Sequence, residues 1–197
     1  KEYKPKIIYS GTTAYSQIID FKRFGEIAKS VGAYHVSDIS HIAGLIAAGV
    51  HPSPFPYADA VMSTTHKTTR GPRGAVIFSR GPLLAYKINK AVIPGLQGGP
   101  HNNVTAAIAV MFEEMQKPSF KKYGAQIVKN AKVLAEELSK FGFDLVSGST
   151  KTHLMVVNLK NKGVTGGDTA LLLESAGIVC NKNSVIGDEK PFNPSGI

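Results

Sequence analysis

The 197-residue chain contains one cysteine, Cys180. Without a partner it can build neither a disulfide framework nor a Cys-rich zinc module, and a reducing, cytoplasmic setting is expected. Long apolar runs are also missing, since none approaches the roughly 18 uninterrupted residues of a membrane-spanning helix, so no membrane association is expected. With 43% hydrophobic and 19% charged residues, the composition is that of a globular chain with a core, which excludes disorder and a collagen-like fibre. Arginine is scarce: only Arg23, Arg70, Arg73 and Arg80 stand among the 23 basic residues. The net charge of +9 would attract a polyanion, yet base reading and bidentate phosphate clamping lean on arginine. Lys117, Lys121, Lys122, Lys129, Lys132 and Lys140 punctuate one amphipathic stretch, the pattern of a solvated helix face. Nucleic-acid binding is therefore not the expected primary function.

Common catalytic motifs are missing as well. The chain has no G-x-x-x-x-G-K-[ST] phosphate loop, no G-x-G-x-x-G turn, no G-x-S-x-G elbow and no H-E-x-x-H helix, so kinase-like, Rossmann, α/β-hydrolase and zincin readings lose their main support. Its six histidines show no helical pairing with a carboxylate, and no metal site is expected.

What is present reads as strands alternating with helices. Ile7 to Ser10 is a short apolar run. Asp20 then caps a stretch with Phe21, Phe24, Ile27, Ala28 and Val31 at helical spacing, which Gly32 stops. Ala33 to Ser37 returns to strand, completing a strand–helix–strand unit of the kind that builds a parallel sheet. A Pro-rich loop over 51–56 precedes strands at Ala60 to Thr65 and Ala75 to Ser79. Beyond the glycine-rich stretch 94–100 the period becomes helical. Val104, Ala107, Ile108, Met111, Phe112 and Met115 form one stripe, capped by Asn102 or Asn103 and closed by Pro118. Tyr123 to Phe141 forms a second, ended by Gly142. Leu154 to Leu159 is expected as a strand, Asp168 to Ala176 as a helix and Ile178 to Asn181 as a strand. A domain boundary is placed near residue 117.

Two segments stand at expected strand ends: Asp38-Ile39-Ser40-His41, and Thr64 through Gly74 with Lys67 inside it. Ligands of open α/β sheets sit at the carboxyl ends of strands, so both segments point at one crevice. Taken singly, Asp38 could cap the following turn and Lys67 could be a surface lysine. Together they suit pyridoxal-phosphate chemistry, in which a lysine condenses with the cofactor aldehyde and an aspartate keeps the pyridine nitrogen protonated. The lysine must lose its proton to react, which nearby cations such as Arg70, Arg73 and His66 would favour.

These residues carry a resemblance. The stretch 31–54, followed by Thr-Thr-His-Lys-Thr-Thr-Arg-Gly-Pro-Arg-Gly at 64–74, resembles the serine hydroxymethyltransferase family. The likeness continues through Gln97-Gly98-Gly99-Pro100-His101, Asn181-Lys182-Asn183 and Pro194-Ser195-Gly196. It implies an α/β fold of the aspartate-aminotransferase type (pyridoxal-phosphate fold type I), a mostly parallel sheet flanked by helices. Residues 1–117 would be the carboxyl-terminal part of the large cofactor domain, and 118–197 the beginning of a small α+β domain. The implied activity belongs to one-carbon metabolism: reversible transfer of a one-carbon unit from serine to tetrahydrofolate, giving glycine and 5,10-methylenetetrahydrofolate, with pyridoxal 5'-phosphate as cofactor. The implied assembly is a homodimer or tetramer with sites at the subunit interface. By the same likeness Lys67 is the Schiff-base lysine and Asp38 the partner of the pyridine nitrogen. His41 and Thr13 would lie near the phenolic oxygen, Thr64 and His66 around the lysine, and Gly98 and Gly99 at the phosphate in the neighbouring subunit. Arg73 matches an active-site arginine, and Asn183, Pro191 and Phe192 fall on the folate side.

The chain departs from the family at several places. Thr13 stands where Ser is common, and Ser37-Asp38-Ile39-Ser40-His41 where Val-Asp-Met-Ala-His is common; 185–190 is less typical. The chain starts without Met and stops in mid-phrase, as a piece of a longer protein would. The family's phosphate loop, ring-stacking histidine, and proton-transferring Glu and Tyr would precede it, and the carboxylate-binding arginine would follow, so residues 1–197 alone are expected to be inactive. A threonine aldolase or aminotransferase of the same fold type is the alternative enzyme, and the 181–192 segment argues against both. A polyanion-binding module that has lost catalysis is the alternative of another class; joint retention of Asp38, His41 and Lys67 argues against it.

Overall fold

The computed structural model describes residues 2–189 and 192–197. It divides into two units, one made of residues up to Thr13 with Ile19–Ala125, the other of Ala14–Ile18 with Gln126–Ile197. The division falls inside one long helix, whereas the composition-based boundary at 117 falls at the helix–helix junction before it.

The first unit is built on a four-stranded sheet in the order β1 (Ile7–Ser10), β2 (Tyr34–Asp38), β3 (Ala60–Thr64), β4 (Ala75–Ser79). β1, β2 and β3 are mutually parallel, with Ser10 beside Ser37 and Asp38 beside Met62. β4 returns antiparallel, Thr64 opposite Ala75. Helix α1 (Phe21–Val31) makes the crossover, and its ends follow local chemistry. Asp20 accepts a hydrogen bond from the Arg23 N–H at 2.9 Å, and Gly32 closes the helix in the left-handed region at φ 69°, where a residue without Cβ pays no steric penalty. α1 buries Phe21 and Ala28. Beneath it the buried His35 donates from Nδ1 to the Tyr57 carbonyl (3.1 Å) and accepts at Nε2 from Ser10 Oγ (2.7 Å). A carbonyl can only accept, which assigns the proton to Nδ1.

Four further helices were either unforeseen or differ at their ends. α2 (Ala43–Ala47) is a five-residue turn that buries Ala43, Gly44 and Leu45, too short to show a period. α3 (Pro82–Lys90) carries proline in its first turn and runs into a π-type turn, Ala91–Leu96. α4 (Asn102–Gln116) begins after His101, without the expected asparagine side-chain cap. Pro118 does not merely close α4 but starts α5 (Pro118–Lys140); Lys117 before it is extended, at φ −71° and ψ 144°, the conformation proline imposes on its predecessor.

In the second unit, strands β5 (Asp144–Leu145) and β6 (Val157–Asn158) pair antiparallel. A core of Ala135, Leu145, Val157 and Leu159 forms there, with Leu138, Phe143, Met155 and Ile197 packed against it. The strand expected over 154–159 is thus reduced to two residues. α6 (Gly166–Ser175) starts two residues before the expected Asp168, because Thr165 is the cap that accepts from the Asp168 N–H (3.1 Å). The strand expected at 178–181 does not form. Ile178 N–H turns back to the Leu173 carbonyl, and Ile178 and Val179 are exposed, so the apolar pair has no sheet to join.

Candidate active site

Because β1, β2 and β3 run the same way, their carboxyl ends meet at one edge of the sheet. There a cleft of about 240 Å³ is lined by residues that follow each strand: Gly11 and Thr13 after β1, Asp38, Ser40 and His41 at the end of β2, and Lys67 beyond β3. β1 can approach β2 this closely because residue 11 is glycine. Its φ is 144°, and a Cβ there would collide with the Asp38 carbonyl oxygen.

Asp38 is held by Ser40. The Ser40 N–H (2.9 Å) and Oγ–H (2.5 Å) both donate to Asp38 Oδ1, and the same Oγ accepts from the Thr64 N–H at 3.0 Å. The ordinary cap and the cofactor partner are thus compatible roles for Asp38, since the turn uses Oδ1 alone.

Lys67 sits on a loop closed around Thr65, which is 1% exposed. Thr65 N–H reaches the Gly74 carbonyl (3.0 Å), its Oγ1 donates to the Pro72 carbonyl (2.6 Å), and its own carbonyl accepts from Gly71 N–H (2.7 Å) and Thr69 Oγ1 (2.8 Å). Thr68 Oγ1 donates to the His41 carbonyl and accepts from the Gly44 N–H, each at 3.0 Å. Hydroxyls thus anchor the lysine loop to the turn after Asp38. Arg70, in the left-handed region at φ 62°, donates its N–H to the Lys67 carbonyl (2.9 Å). Its guanidinium lies 4.4 Å from the Tyr123 ring centroid and 5.4 Å from that of Phe120, with Glu114 at 3.7 Å. Arg70 therefore fastens the loop to α5 instead of standing beside the lysine as a free cation.

The titratable neighbour that Lys67 does influence directly is His41. Burial holds the His41 pKa below its ordinary value, the Lys67 charge lowers it further, and Asp38 partly opposes them. His41 is accordingly a neutral imidazole at neutral pH.

Of the residues expected from sequence, the structure brings together Thr13, Asp38, His41 and Lys67. Thr64 gives its N–H to Ser40, but it lines a separate apolar cavity of about 380 Å³, shared with Ile39, Met111 and Phe112, and is not among the residues lining the cleft. The buried Thr64 Oγ1 and His66 Nδ1 have no hydrogen-bond partner among the described residues. Arg73 is exposed, and Gly98 and Gly99 are exposed with nothing within 4 Å of a Cβ at either. Asn183 and Phe192 belong to the second unit. Asn183 Nδ2 donates to the Ser184 carbonyl (2.8 Å), Phe192 is 91% exposed, and Pro191 lies outside the described residues. Sequence reasoning passed over Gly11 and the role of Ser40. The Asp-x-Ser spacing, which favours a side-chain-closed turn, was the available signal for the latter.

Comparison with known proteins places the chain in a family. The sequence model of the family described as serine hydroxymethyltransferase matches residues 1–197. The chain is 56% identical over 197 residues to the serine hydroxymethyltransferase of Desulfotalea psychrophila, covering all of this chain and 46% of that protein. It is 56% identical over 198 residues to those of Bartonella henselae and Methanosarcina barkeri, covering 45% and 48% of them. The chain therefore spans about half the length of the curated relatives it matches.

Proposed function

The chain belongs to the serine hydroxymethyltransferase family, and on that footing we propose that it serves the reversible transfer of a one-carbon unit from serine to tetrahydrofolate, giving glycine and 5,10-methylenetetrahydrofolate, with pyridoxal 5'-phosphate as cofactor. The observation that carries the reading is the convergence of Asp38, His41 and Lys67 on one cleft at the carboxyl ends of three neighbouring strands. A primary amine and a carboxylate facing one small polar cleft are the donor set that this cofactor needs, so the residues fit it. When bound, pyridoxal phosphate supplies an electron sink for the bonds that break at the substrate carbon.

The chain's own groups have distinct tasks. Lys67 Nζ would hold the cofactor covalently, its loop fixed by Thr65, Thr68 and Arg70. Asp38 would accept the ring N–H and keep that proton in place. His41, neutral at physiological pH, can donate from one ring nitrogen and accept at the other without adding charge beside Lys67. Thr13, which lines the same cleft, would offer its hydroxyl as a donor there. Gly98 and Gly99, bare and exposed, suit backbone N–H contact with a phosphate in a neighbouring subunit, in a homodimer or tetramer. Arg73, Asn183, Pro191 and Phe192 are assigned to the substrate and folate side, and residues 1–117 and 118–197 to the cofactor domain and the small domain. Among the described residues no helix is long and apolar enough to cross a membrane.

Borohydride treatment of the complete polypeptide loaded with pyridoxal phosphate should fix the label on the peptide carrying Thr64 to Arg70, and Lys67→Ala should abolish it. Label on another lysine would withdraw the assignment.

A further inference from the structure

We infer that Ser40 is a positioning residue for Asp38, setting which carboxylate oxygen faces the cofactor ring; this rests on the reading of the cleft as a pyridoxal-phosphate site. An aspartate carboxylate turns easily about its last torsion, whose preference is broad and two-fold. Here that freedom is removed from one side. Ser40 N–H and Oγ–H both end on Oδ1, at 2.9 and 2.5 Å, and two donors from one residue define the plane of the carboxylate. Oδ2 takes neither bond.

The hydroxyl is itself oriented. Ser40 Oγ accepts the Thr64 N–H at 3.0 Å, which leaves its proton to point at Asp38 and makes a relay from the β3 backbone through Ser40 to the carboxylate. Ser40 is 6% exposed, so water does not compete for these bonds. Hydrogen bonds to an ionised acceptor are roughly twice as strong as neutral ones, and without this one Oδ1 would be held by the Ser40 N–H alone, which fixes the carboxylate plane less firmly. The relay also joins the ends of β2 and β3, so the carboxylate is referenced to the strand that leads to Lys67. The two groups that must address opposite ends of one rigid ring are thereby held to a common frame.

The test uses the complete polypeptide loaded with pyridoxal phosphate labelled with 15N at the ring nitrogen. The 15N shift is followed against pH, and the cofactor dissociation constant is measured beside it. Ser40→Ala should lower the pH midpoint at which the ring nitrogen loses its proton and weaken cofactor binding about tenfold. Ser40→Thr, which keeps the hydroxyl, should restore both, and Ser40→Val should not. The Thr and Val variants share one shape and differ by the hydroxyl, so their contrast decides the matter even if the alanine variant folds poorly. Equal ring-nitrogen titration in the Thr and Val variants would overturn the role of Ser40 while leaving the site reading intact. A parent protein that does not bind pyridoxal phosphate at all would overturn both.

Discussion

Replacing Gly11 by alanine should destabilise the protein by about 2–6 kcal/mol, the sum of two costs the structure separates. The first is conformational: at φ 144° an L-residue is outside its allowed regions, a strain of about 1–3 kcal/mol. The second is steric. The new methyl would overlap the Asp38 carbonyl oxygen, and β2 cannot retreat because it pairs with β1 on one side and β3 on the other; forcing an extra methyl into a fixed space costs about 1–3 kcal/mol. Two other glycines isolate the terms. Gly32 has φ 69° but nothing within 4 Å, so Gly32→Ala carries the conformational cost alone, about 1–2 kcal/mol. Gly98 has neither a positive φ nor a close neighbour, and Gly98→Ala should fall within about 0.5 kcal/mol of the parent. Denaturant unfolding of the complete polypeptide, without added cofactor so that ligand linkage does not mask the differences, should rank the variants Gly98, Gly32, Gly11 in order of rising cost. Because the collision falls on Asp38, Gly11→Ala should also weaken pyridoxal-phosphate binding in the protein that remains folded. A Gly11→Ala midpoint matching that of Gly98→Ala would refute the close approach of β1 to β2 on which the cleft depends.

His41 offers a titration test. Lys67→Met should raise the His41 pKa by removing a positive neighbour, and Asp38→Asn should lower it further by removing a negative one; NMR titration in which neither variant moves His41 would place the three groups apart. Its folded pKa lies below the ordinary 6.5, so its contribution is present above that value and is lost as pH falls through the lowered one. Asp188 has the same sign at lower pH. Hydrogen bonds from the Ser195 and Val185 N–H groups, each 2.9 Å to Oδ2, hold its pKa far below the usual 3.8, and Lys160 adds a contact at 3.2 Å to Oδ1. Stability from Asp188 is therefore complete above the ordinary carboxylate range and disappears only in strong acid. Asp188→Asn should speed amide exchange at Val185 and Ser195 near neutral pH; unchanged exchange would show that the clamp does not hold this segment.

Much of the first unit was legible because its signals are local. Asp20 and Gly32 mark both ends of α1, and the apolar runs at 7–10 and 75–79 coincide with β1 and β4. The failures share a cause in tertiary context. α2 has five residues and no period to display. Val157 and Asn158 keep their strand because β5 lies opposite, whereas Ile178 and Val179, with higher β-propensity, meet no partner strand and stay exposed. Propensity describes what a segment would do if a neighbour were offered; the neighbour is not written beside it.

The cleft shows the same division more sharply. That Asp38 and Lys67 face one space follows from topology alone: successive parallel strands joined by crossovers must bring their carboxyl ends to one edge, so two chemical groups 29 residues apart could be placed together without coordinates. Topology does not say which way a side chain turns once it is there. Arg70, three residues from Lys67, could have supplied the field that favours a neutral lysine; its left-handed backbone swings the guanidinium onto Tyr123 and Phe120, and its contribution becomes mechanical. Thr64, on the strand leading to Lys67, contributes its backbone N–H while its hydroxyl is buried away from the cleft's hydrogen bonds. The residue that controls Asp38 is instead Ser40, two positions on. At each of these positions the main chain decides between two chemically reasonable roles. The side chains that touch the cleft therefore follow from strand order, and those that hold them in register follow from turn geometry, which is where substitutions away from the reacting atoms should do the most damage.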